Sequence, residues 1–214
     1  MGTGTKIAAL FVEEGGPYFG DDRYDPWGIE RDARDYEGPY PVIAHPPCQR
    51  WGRYWSGGPS TARRRMLGDD KGCFWAALSA VRQFGGVLEH PEASHAFKMF
   101  GLPIPEWKGG WSDPDMYGGR SCCVAQGHYG HKSRKMTWLY AVKTDYPKLI
   151  WGPTEPLMRM DLGFHSKEER ARAVKTGVCQ RLSHRQRLLT PRPFQEVLTQ
   201  IAETAQSCDE GKPK

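Results

Sequence analysis

The 214-residue chain lacks any long apolar run, and its first six residues, 1–6, contain no apolar core. A helix that spans a bilayer needs about 20 consecutive, mostly apolar residues, and a secretory signal needs an apolar core behind its charged start. We therefore expect neither a membrane span nor an export signal, and we expect a protein of the cytoplasm.

The chain also lacks a Cys-x-x-Cys pair, although it contains six cysteines. These cysteines are scattered, apart from the adjacent Cys122 and Cys123, so we expect reduced thiols and not a disulfide framework. His128 and His131 follow closely, but adjacent cysteines are poor joint ligands and the spacing matches no zinc pattern. No metal site is predicted.

Charge of neither sign dominates, since 30 Lys and Arg face 25 Asp and Glu, for a net charge of +5. This balance permits a nucleic-acid partner without requiring one. Hydrophobic residues make up 38% of the chain, which excludes a disordered protein, and no internal repeat is present. The length predicts a single α/β domain over residues 1–206, followed by a disordered tail over 207–214.

Short apolar runs alternate with amphipathic segments, which predicts a mostly parallel sheet with helices on both faces. Strands are predicted at 6–12, 41–44, 87–88, 122–124 and 137–142. Helices are predicted at 71–84, after the capping box Ser166-x-x-Glu169, and after Thr190 as N-cap with Pro191 at the first helical position. The remaining segments are predicted to be irregular at 15–38, a loop insertion at 101–119, and a small irregular or helical subregion at 147–187.

Cys48 follows two prolines at the end of the apolar run 41–45. Each proline fixes its own φ and favours extended geometry in the residue before it, so the thiol is presented in one direction at the carboxyl end of a strand. Ligands of open α/β sheets bind at that edge. An inert buried cysteine beside a tight turn is the alternative.

The residues after Cys48 are basic and aromatic, a mixture that suits an anionic ligand carrying a base. A second candidate, Glu89, also ends an apolar strand and stands just before His90-Pro91. If the two strands are adjacent, Cys48 and Glu89 face one cleft. The candidate substrate-binding residues are Gln49, Arg50, Trp51, Arg53 and His90.

Six segments follow one another in a distinctive order. They are Leu10–Gly16, Ile29–Arg34, Pro46–Gln49, Glu89–Pro91, Tyr129–Lys135 with the strand after it, and Thr190–Phe194. In this order they resemble the cofactor loop, the end of the second strand, the nucleophile turn, the Glu-Asn-Val segment, the Gln-x-Arg-x-Arg segment and the final segment of the DNA cytosine-5 methyltransferases. Residues 6–145 carry most of the similarity.

The resemblance implies a reduced, three-layer, Rossmann-like methyltransferase sheet and an enzyme that modifies a pyrimidine of DNA at C5. Cys48 would be the nucleophile at C6 of the base and Glu89 would hold the base. Arg134 and Lys135 would support the phosphate or the base carbonyl. S-adenosylmethionine would be the cofactor, bound by Phe11, Gly15 and Gly16, with Glu30 or Asp32 near its ribose. The small size suggests, by analogy, a bacteriophage or another mobile element.

The chain departs from the family pattern at three places. Glu13 replaces a glycine of the cofactor loop and would repel the cofactor carboxylate, so weak binding is expected. Ser133, Lys135 and Thr137 occupy the Gln-x-Arg-x-Arg positions, and 147–187 is too short for a large target-recognition domain. Two alternatives therefore stay open: the same fold using another one-carbon donor or a free pyrimidine nucleotide, and an inactive DNA-binding relative.

Overall fold

The computed structural model describes residues 6–57, 65–156, 158, 166–176 and 182–205. A mixed sheet of six strands forms its centre, in the order β2-β1-β3-β4-β6-β5. The strands are β1 (Ile7–Leu10), β2 (Tyr24–Trp27), β3 (Val42–Ala44), β4 (Gly86–Pro91), β5 (Arg120–Ala125) and β6 (Met136–Val142). Strands β2, β1, β3 and β4 pair in parallel, and β6 is antiparallel to both β4 and β5. All strands except β6 therefore run in one direction.

The described helices are α1 (Cys73–Phe84), α2 (His95–Met99), α3 (Lys167–Thr176), α4 (His184–Leu188) and α5 (Arg192–Glu203), with 3-10 turns at Ala33–Asp35 and Gln126–Tyr129. Helices α1 and α5 cover opposite faces of the sheet, and α3 has no buried residue. Alternate residues of a strand face opposite sides of the sheet and so belong to two different hydrophobic cores. Ala44 packs with the α1 side chains, and Ile43 packs with those of α5. None of the described helices is both long and apolar enough to cross a membrane.

The apolar spacing of α1 explains its placement. Phe74, Leu78 and Val81 share one face of the helix and are fully buried against the sheet, and each such burial contributes roughly 1.5–3 kcal/mol. The Asp70 carboxylate accepts hydrogen bonds from the backbone N–H groups of Gly72 and Phe74, at 2.9 and 2.8 Å. The bond from Phe74 satisfies a donor that the first turn leaves unpaired, and α1 begins at Cys73, two residues after the predicted start.

Glycine is required where β4 begins. Gly86 has φ +125, and a Cβ at this position would lie 2.0 Å from the backbone oxygen of Val42. No L side chain fits this geometry, so the close pairing of β3 and β4 depends on that glycine. Because β3 and β4 carry the candidate site residues, Gly86 contributes to the site as well as to the fold.

A buried carboxylate fastens the loop insertion 101–119 to the rest of the protein. Asp115 accepts a hydrogen bond from the Tyr140 hydroxyl at 2.9 Å and forms an ion pair with Arg82 at 3.2 Å. Its other oxygen accepts the backbone N–H groups of Tyr117 and Gly119, both at 2.9 Å. The insertion is therefore held in place by side-chain contacts that its Gly- and Pro-rich sequence does not reveal.

We expect Tyr140→Phe to lower the free energy of unfolding by about 1–2 kcal/mol, because a buried bond to a charged acceptor is lost. Urea denaturation measures the change. Tyr146→Phe is the matched control, since its hydroxyl donates to the Gly118 carbonyl in an exposed setting and its loss should cost less than about 0.5 kcal/mol. Equal losses in the two variants would contradict the proposed role of Asp115.

Two sequence predictions need correction, and one helix was not predicted. The irregular segment predicted over 15–38 contains β2, which pairs with β1 from Ile7–Tyr24 to Leu10–Trp27. Pro26 argues against a strand, but β2 lies at the sheet edge, where a missing donor is tolerated. The N-cap of α5 is Pro191 and not Thr190. Helix α2 was not predicted because five residues are too few to show a period. The predicted tail, 207–214, lies outside the described residues.

Candidate active site

The candidate site lies where the strand order reverses. From β1 the chain goes to β2 on one side, and it then returns to β3 on the other side of β1. Connections that leave neighbouring carboxyl ends in opposite directions open a crevice between them, and ligands of α/β sheets bind there. Phe11 follows the end of β1 and His45 follows the end of β3, so both residues border this crevice.

Strands β3 and β4 bring the two main candidates to the same edge. They pair in parallel, with Ala44 opposite Leu88, so His45 and Glu89 follow at neighbouring positions and α1 forms the connection between the strands. Beyond His45, the Cys48 carbonyl accepts hydrogen bonds from the backbone N–H groups of Trp51 and Gly52, at 3.0 and 2.9 Å. These two bonds fix the turn that carries the thiol.

Glu89 is held by hydrogen bonds on both carboxylate oxygens. His45 Nδ1 lies 3.1 Å from Oε2, and the Gln126 amide donates to Oε1 at 3.2 Å. The same amide donates to the Thr137 hydroxyl at 2.9 Å, and His45 Nε2 lies 2.9 Å from the Tyr18 hydroxyl. Glu89 and His45 are largely buried, with side chains 13% and 14% exposed. The carboxylate thus has a fixed orientation.

Burial and charge act in opposite directions on Glu89. Burial alone raises the pKa of this carboxyl, but the hydrogen bond with His45 and the nearby positive charge of Lys135 outweigh it and hold the pKa well below its usual range. Glu89 is therefore ionised near neutral pH and can only accept hydrogen bonds.

Cys48 and Lys135 share the environment of Glu89. Burial raises the pKa of the Cys48 thiol, the Glu89 charge raises it further, and the Lys135 charge opposes both effects. Burial lowers the pKa of the Lys135 ammonium, against the opposing effects of Glu89 and Cys48. The three groups therefore influence one another's charge, and Cys48 rests as a neutral thiol.

Only one of the two predicted basic residues is directed to this environment. Lys135 Nζ donates to the carbonyls of Leu188 and Leu189 at the end of α4, at 3.3 and 2.8 Å. Arg134 instead donates from Nε to the Thr154 carbonyl at 2.7 Å. Lys135 is thus the cation of the site, and α4 holds it there.

The residues predicted to bind substrate fall into two groups. Gln49 and Arg53 are exposed and Arg50 is half-buried, all beside the Cys48 turn. Trp51 and His90 are 2% and 0% exposed and belong to the core on the α1 side. Their side chains support the turn from below: the Trp51 indole donates to Asp70 at 2.7 Å, and the His90 ring packs edge-on against Phe74 at 5.2 Å.

The predicted cofactor loop has the required backbone but lacks a helix behind it. Gly15 has φ +67, and Phe11 also adopts a left-handed conformation, with φ 59. The connection from Phe11 to Arg23 contains turns and no helix, so no helix N-terminus faces the loop to bind an anion. Glu13 and Glu14 are exposed at the same place. The loop permits close approach of a ligand but contains no group suited to a carboxylate.

The two predicted ribose-binding acids differ in availability. Asp32 accepts the backbone N–H of Arg34 at 3.0 Å and pairs with the Arg34 guanidinium, so its carboxylate is already engaged. Glu30 lies just beyond the end of β2 and is exposed. Glu30 is therefore the better placed of the two for a ribose diol. The fit to S-adenosylmethionine is partial: the ribose side is suited to it and the amino-acid side is not.

Sequence reasoning did not identify His45, Tyr18 or Gln126. His45 had a usable signal, because it stands at the strand end directly before Pro46. Tyr18 and Gln126 reach the site only through the tertiary fold.

No group of three or more potential metal ligands occurs among the described residues. Comparisons with protein-family models, curated proteins and solved structures found no match for this chain.

Proposed function

We propose that the protein is an enzyme that modifies a pyrimidine of DNA at C5 through a covalent adduct between Cys48 and C6 of the base, and that it resembles the cytosine-5 methyltransferases. One observation carries the proposal: Cys48, Glu89 and Lys135 share a single environment at the carboxyl edge of adjacent parallel strands. A nucleophile, an acceptor for a base edge and a cation are the groups that this chemistry needs.

The proposed reaction begins when the Cys48 sulfur adds to C6. The C5=C6 electron pair shifts to the C4–C5 bond and the C4=N3 pair moves to N3, which takes up a proton from water, so that C5 becomes nucleophilic. Glu89, held ionised, accepts from the C4 amino group and from the protonated N3. The carboxylate accepts the N3–H of the protonated adduct, whereas it repels the N3 lone pair of neutral cytosine, and such differential binding accelerates a reaction. After C5 has taken up its one-carbon group, loss of the C5 proton to water and cleavage of the S–C6 bond restore the C5=C6 bond and the thiolate, and N3 returns its proton to water.

Lys135 has a separate role in this scheme. Its positive charge favours the Cys48 thiolate and thereby opposes the effects of burial and of Glu89, which both favour the thiol. Because α4 fixes the Lys135 side chain, the thiolate is favoured only when α4 is in place. S-adenosylmethionine, when bound near Gly15 and Glu30, would supply a methyl group to C5.

A different one-carbon donor is the second candidate. The absence of a helix between Phe11 and Arg23, together with the exposed carboxylates of Glu13 and Glu14, argues against tight binding of an amino-acid carboxylate in the loop. A donor without a carboxylate would avoid this repulsion. The chemistry assigned to Cys48 and Glu89 is the same for either donor.

The proposal is tested by incubating the protein with S-adenosylmethionine and an oligonucleotide that contains 5-fluorodeoxycytidine. Once C5 is methylated, fluorine cannot leave it as a cation, so the adduct should persist, and intact-protein mass spectrometry should show the mass of protein plus oligonucleotide plus one methyl group. Cys73→Ser is the matched control, because Cys73 is a partly buried cysteine outside the site and its loss should not prevent the adduct. An adduct located at Cys73 would overturn the assignment of the nucleophile.

We expect neutralising Arg134 and Lys135 together (Arg134→Gln, Lys135→Gln) to weaken DNA binding and flatten its salt dependence. Each lost phosphate contact should lower the slope of log affinity against log salt by about one unit. Fluorescence anisotropy at several salt concentrations measures this slope. Lys143→Gln is the control, because Lys143 follows the opposite end of β6 and should leave the slope unchanged. Equal slopes in all three proteins would exclude a phosphate contact at this edge.

A further inference from the structure

A chain of hydrogen bonds connects five elements beneath the candidate site. It runs from Tyr18, in the β1–β2 connection, to His45 after β3, then to Glu89 in β4, to Gln126 after β5 and to Thr137 in β6. Its heavy-atom distances lie between 2.9 and 3.2 Å. A polar network of this extent in a buried region is costly unless its members are paired. The proposed reaction so far uses only Glu89.

The directions of two of these bonds follow from Tyr18. The side chain is 3% exposed, and burial raises the pKa of its phenol well above the usual value, so the hydroxyl keeps its proton. A buried hydroxyl donates where an acceptor is available. Among the described residues, the hydrogen-bond partner of the Tyr18 hydroxyl is His45 Nε2. With Nε2 accepting, Nδ1 carries the proton and donates to Glu89.

We propose that His45 is a positioning residue that holds one carboxylate oxygen of Glu89 while Gln126 holds the other, with Tyr18 fixing the orientation and tautomer of the imidazole. Glu89 then presents its remaining lone pairs to the hydrogen-bond donors of one ligand edge. The identity of that ligand, a pyrimidine with a C4 amino group, rests on the function proposed above. The arrangement itself exists in the free protein and can be tested there.

The charge state of Glu89 depends on every group that faces it. Lys135 from the start of β6 and His90 from β4 lower its pKa, as does His45, whereas burial raises it. Cys48 and Tyr18 are neutral in the resting site. The hydrogen bond from His45 is the largest of the favourable influences. Without it, burial should dominate, and Glu89 should take up a proton at a higher pH than in the wild type.

Two amide substitutions distinguish the hydrogen bond from His45 to Glu89 from the one between His45 and Tyr18. The amide nitrogen of His45→Asn is as many bonds from Cβ as Nδ1, so this variant keeps a donor to Glu89. In His45→Gln the amide group reaches the position of Nε2, where its oxygen can accept from the Tyr18 hydroxyl, so this variant retains the bond with Tyr18 and loses the donor to Glu89. A variant that merely disturbed packing would not distinguish the two atoms. His95→Asn, at an exposed position, is the control.

The experiment follows the Glu89 carboxyl by carbon NMR in protein labelled at the glutamate side-chain carboxyl carbon, with Glu89→Gln assigning the resonance. Between pH 5 and 8 the Glu89 signal should remain that of a carboxylate in the wild type, in His45→Asn and in the control. It should titrate within this range in His45→Gln. Identical titration of Glu89 in wild type and both His45 variants would overturn the proposal.

A second measurement applies the same variants to the reaction. The rate of adduct formation on the 5-fluorodeoxycytidine oligonucleotide should fall roughly 10- to 100-fold in His45→Gln, the loss expected for one bond to a charged group. It should fall much less in His45→Asn. If the wild type forms no adduct, the proposed function fails, while the NMR result still decides the role of His45. Equal rates in both variants, given a wild-type adduct, would contradict it.

Discussion

Cys48→Ser is expected to abolish base modification, with a loss of at least about 1,000-fold, while DNA affinity stays within about twofold of the wild type. Serine nearly matches cysteine in size, so the turn fixed by the Cys48 carbonyl should persist. A hydroxyl is a far weaker nucleophile than a thiolate near neutral pH. The substitution therefore removes the covalent step and leaves the basic surface that would bind phosphate.

Mass spectrometry of nucleosides from digested DNA measures the modification, and fluorescence anisotropy measures affinity on the same preparations. Cys73→Ser should retain both properties. Loss of DNA affinity in Cys48→Ser, with a wild-type melting temperature, would show that Cys48 acts in binding. If the wild type binds DNA and modifies no base with any donor tried, the chain is a DNA-binding relative and not an enzyme.

Acid is expected to destabilise the protein by about 3 kcal/mol between pH 6.5 and pH 4, through His90 alone. Burial lowers the pKa of this ring from 6.5 to about 4, although the Glu89 and Asp70 charges and the Pro47 backbone oppose the shift. The unfolded chain therefore binds a proton over a range in which the folded protein does not. The contribution of His90 to the free energy of unfolding is therefore fully present above pH 6.5 and is lost as the pH falls toward 4.

Urea denaturation at steps of 0.5 pH unit measures this dependence, and His90→Gln tests its origin. The variant should be less stable at pH 7, but its stability should decrease much less between pH 6.5 and 4. The lowered pKa values of Asp21, Asp32, Glu89 and Glu196 cause losses as the pH falls below about 4.5, mostly below this window. Burial also lowers the pKa of His131, which adds a smaller pH dependence of stability in both proteins. Parallel pH profiles for wild type and variant would exclude His90.

The alternation of apolar runs and amphipathic segments was sufficient to predict a mostly parallel α/β sheet, the crossover helix α1 and the final helix α5, but not the antiparallel pairing of β6. Proline and glycine marked the ends of β3 and α1, so the neighbouring positions of Cys48 and Glu89 were predictable. The edge strand β2 was not, because Pro26 removes a donor that only the sheet order shows to be unnecessary.

The internal organisation of the site could be predicted only in part. Residues at strand ends, such as Glu89, follow from local pattern, whereas Tyr18 reaches His45 only because the β1–β2 connection folds onto the α5 face. The sequence does not distinguish Arg134 from Lys135, because both are basic and they are adjacent. In the structure only Lys135 is directed toward Cys48. Such differences depend on backbone conformation, here a positive φ of 38 at Lys135.

The most direct test of the central claim is exchange of the C5 hydrogen of cytosine with solvent. Addition of Cys48 to C6 makes C5 basic, so in deuterated water C5 should gain a deuteron, lose its proton, and return to cytosine as the thiolate departs. This reaction needs no methyl donor. The account predicts one deuterium per target cytosine with the wild type, detected by mass spectrometry, and none with Cys48→Ser. Exchange that persists in Cys48→Ser, or DNA binding by the wild type without any exchange, would contradict it.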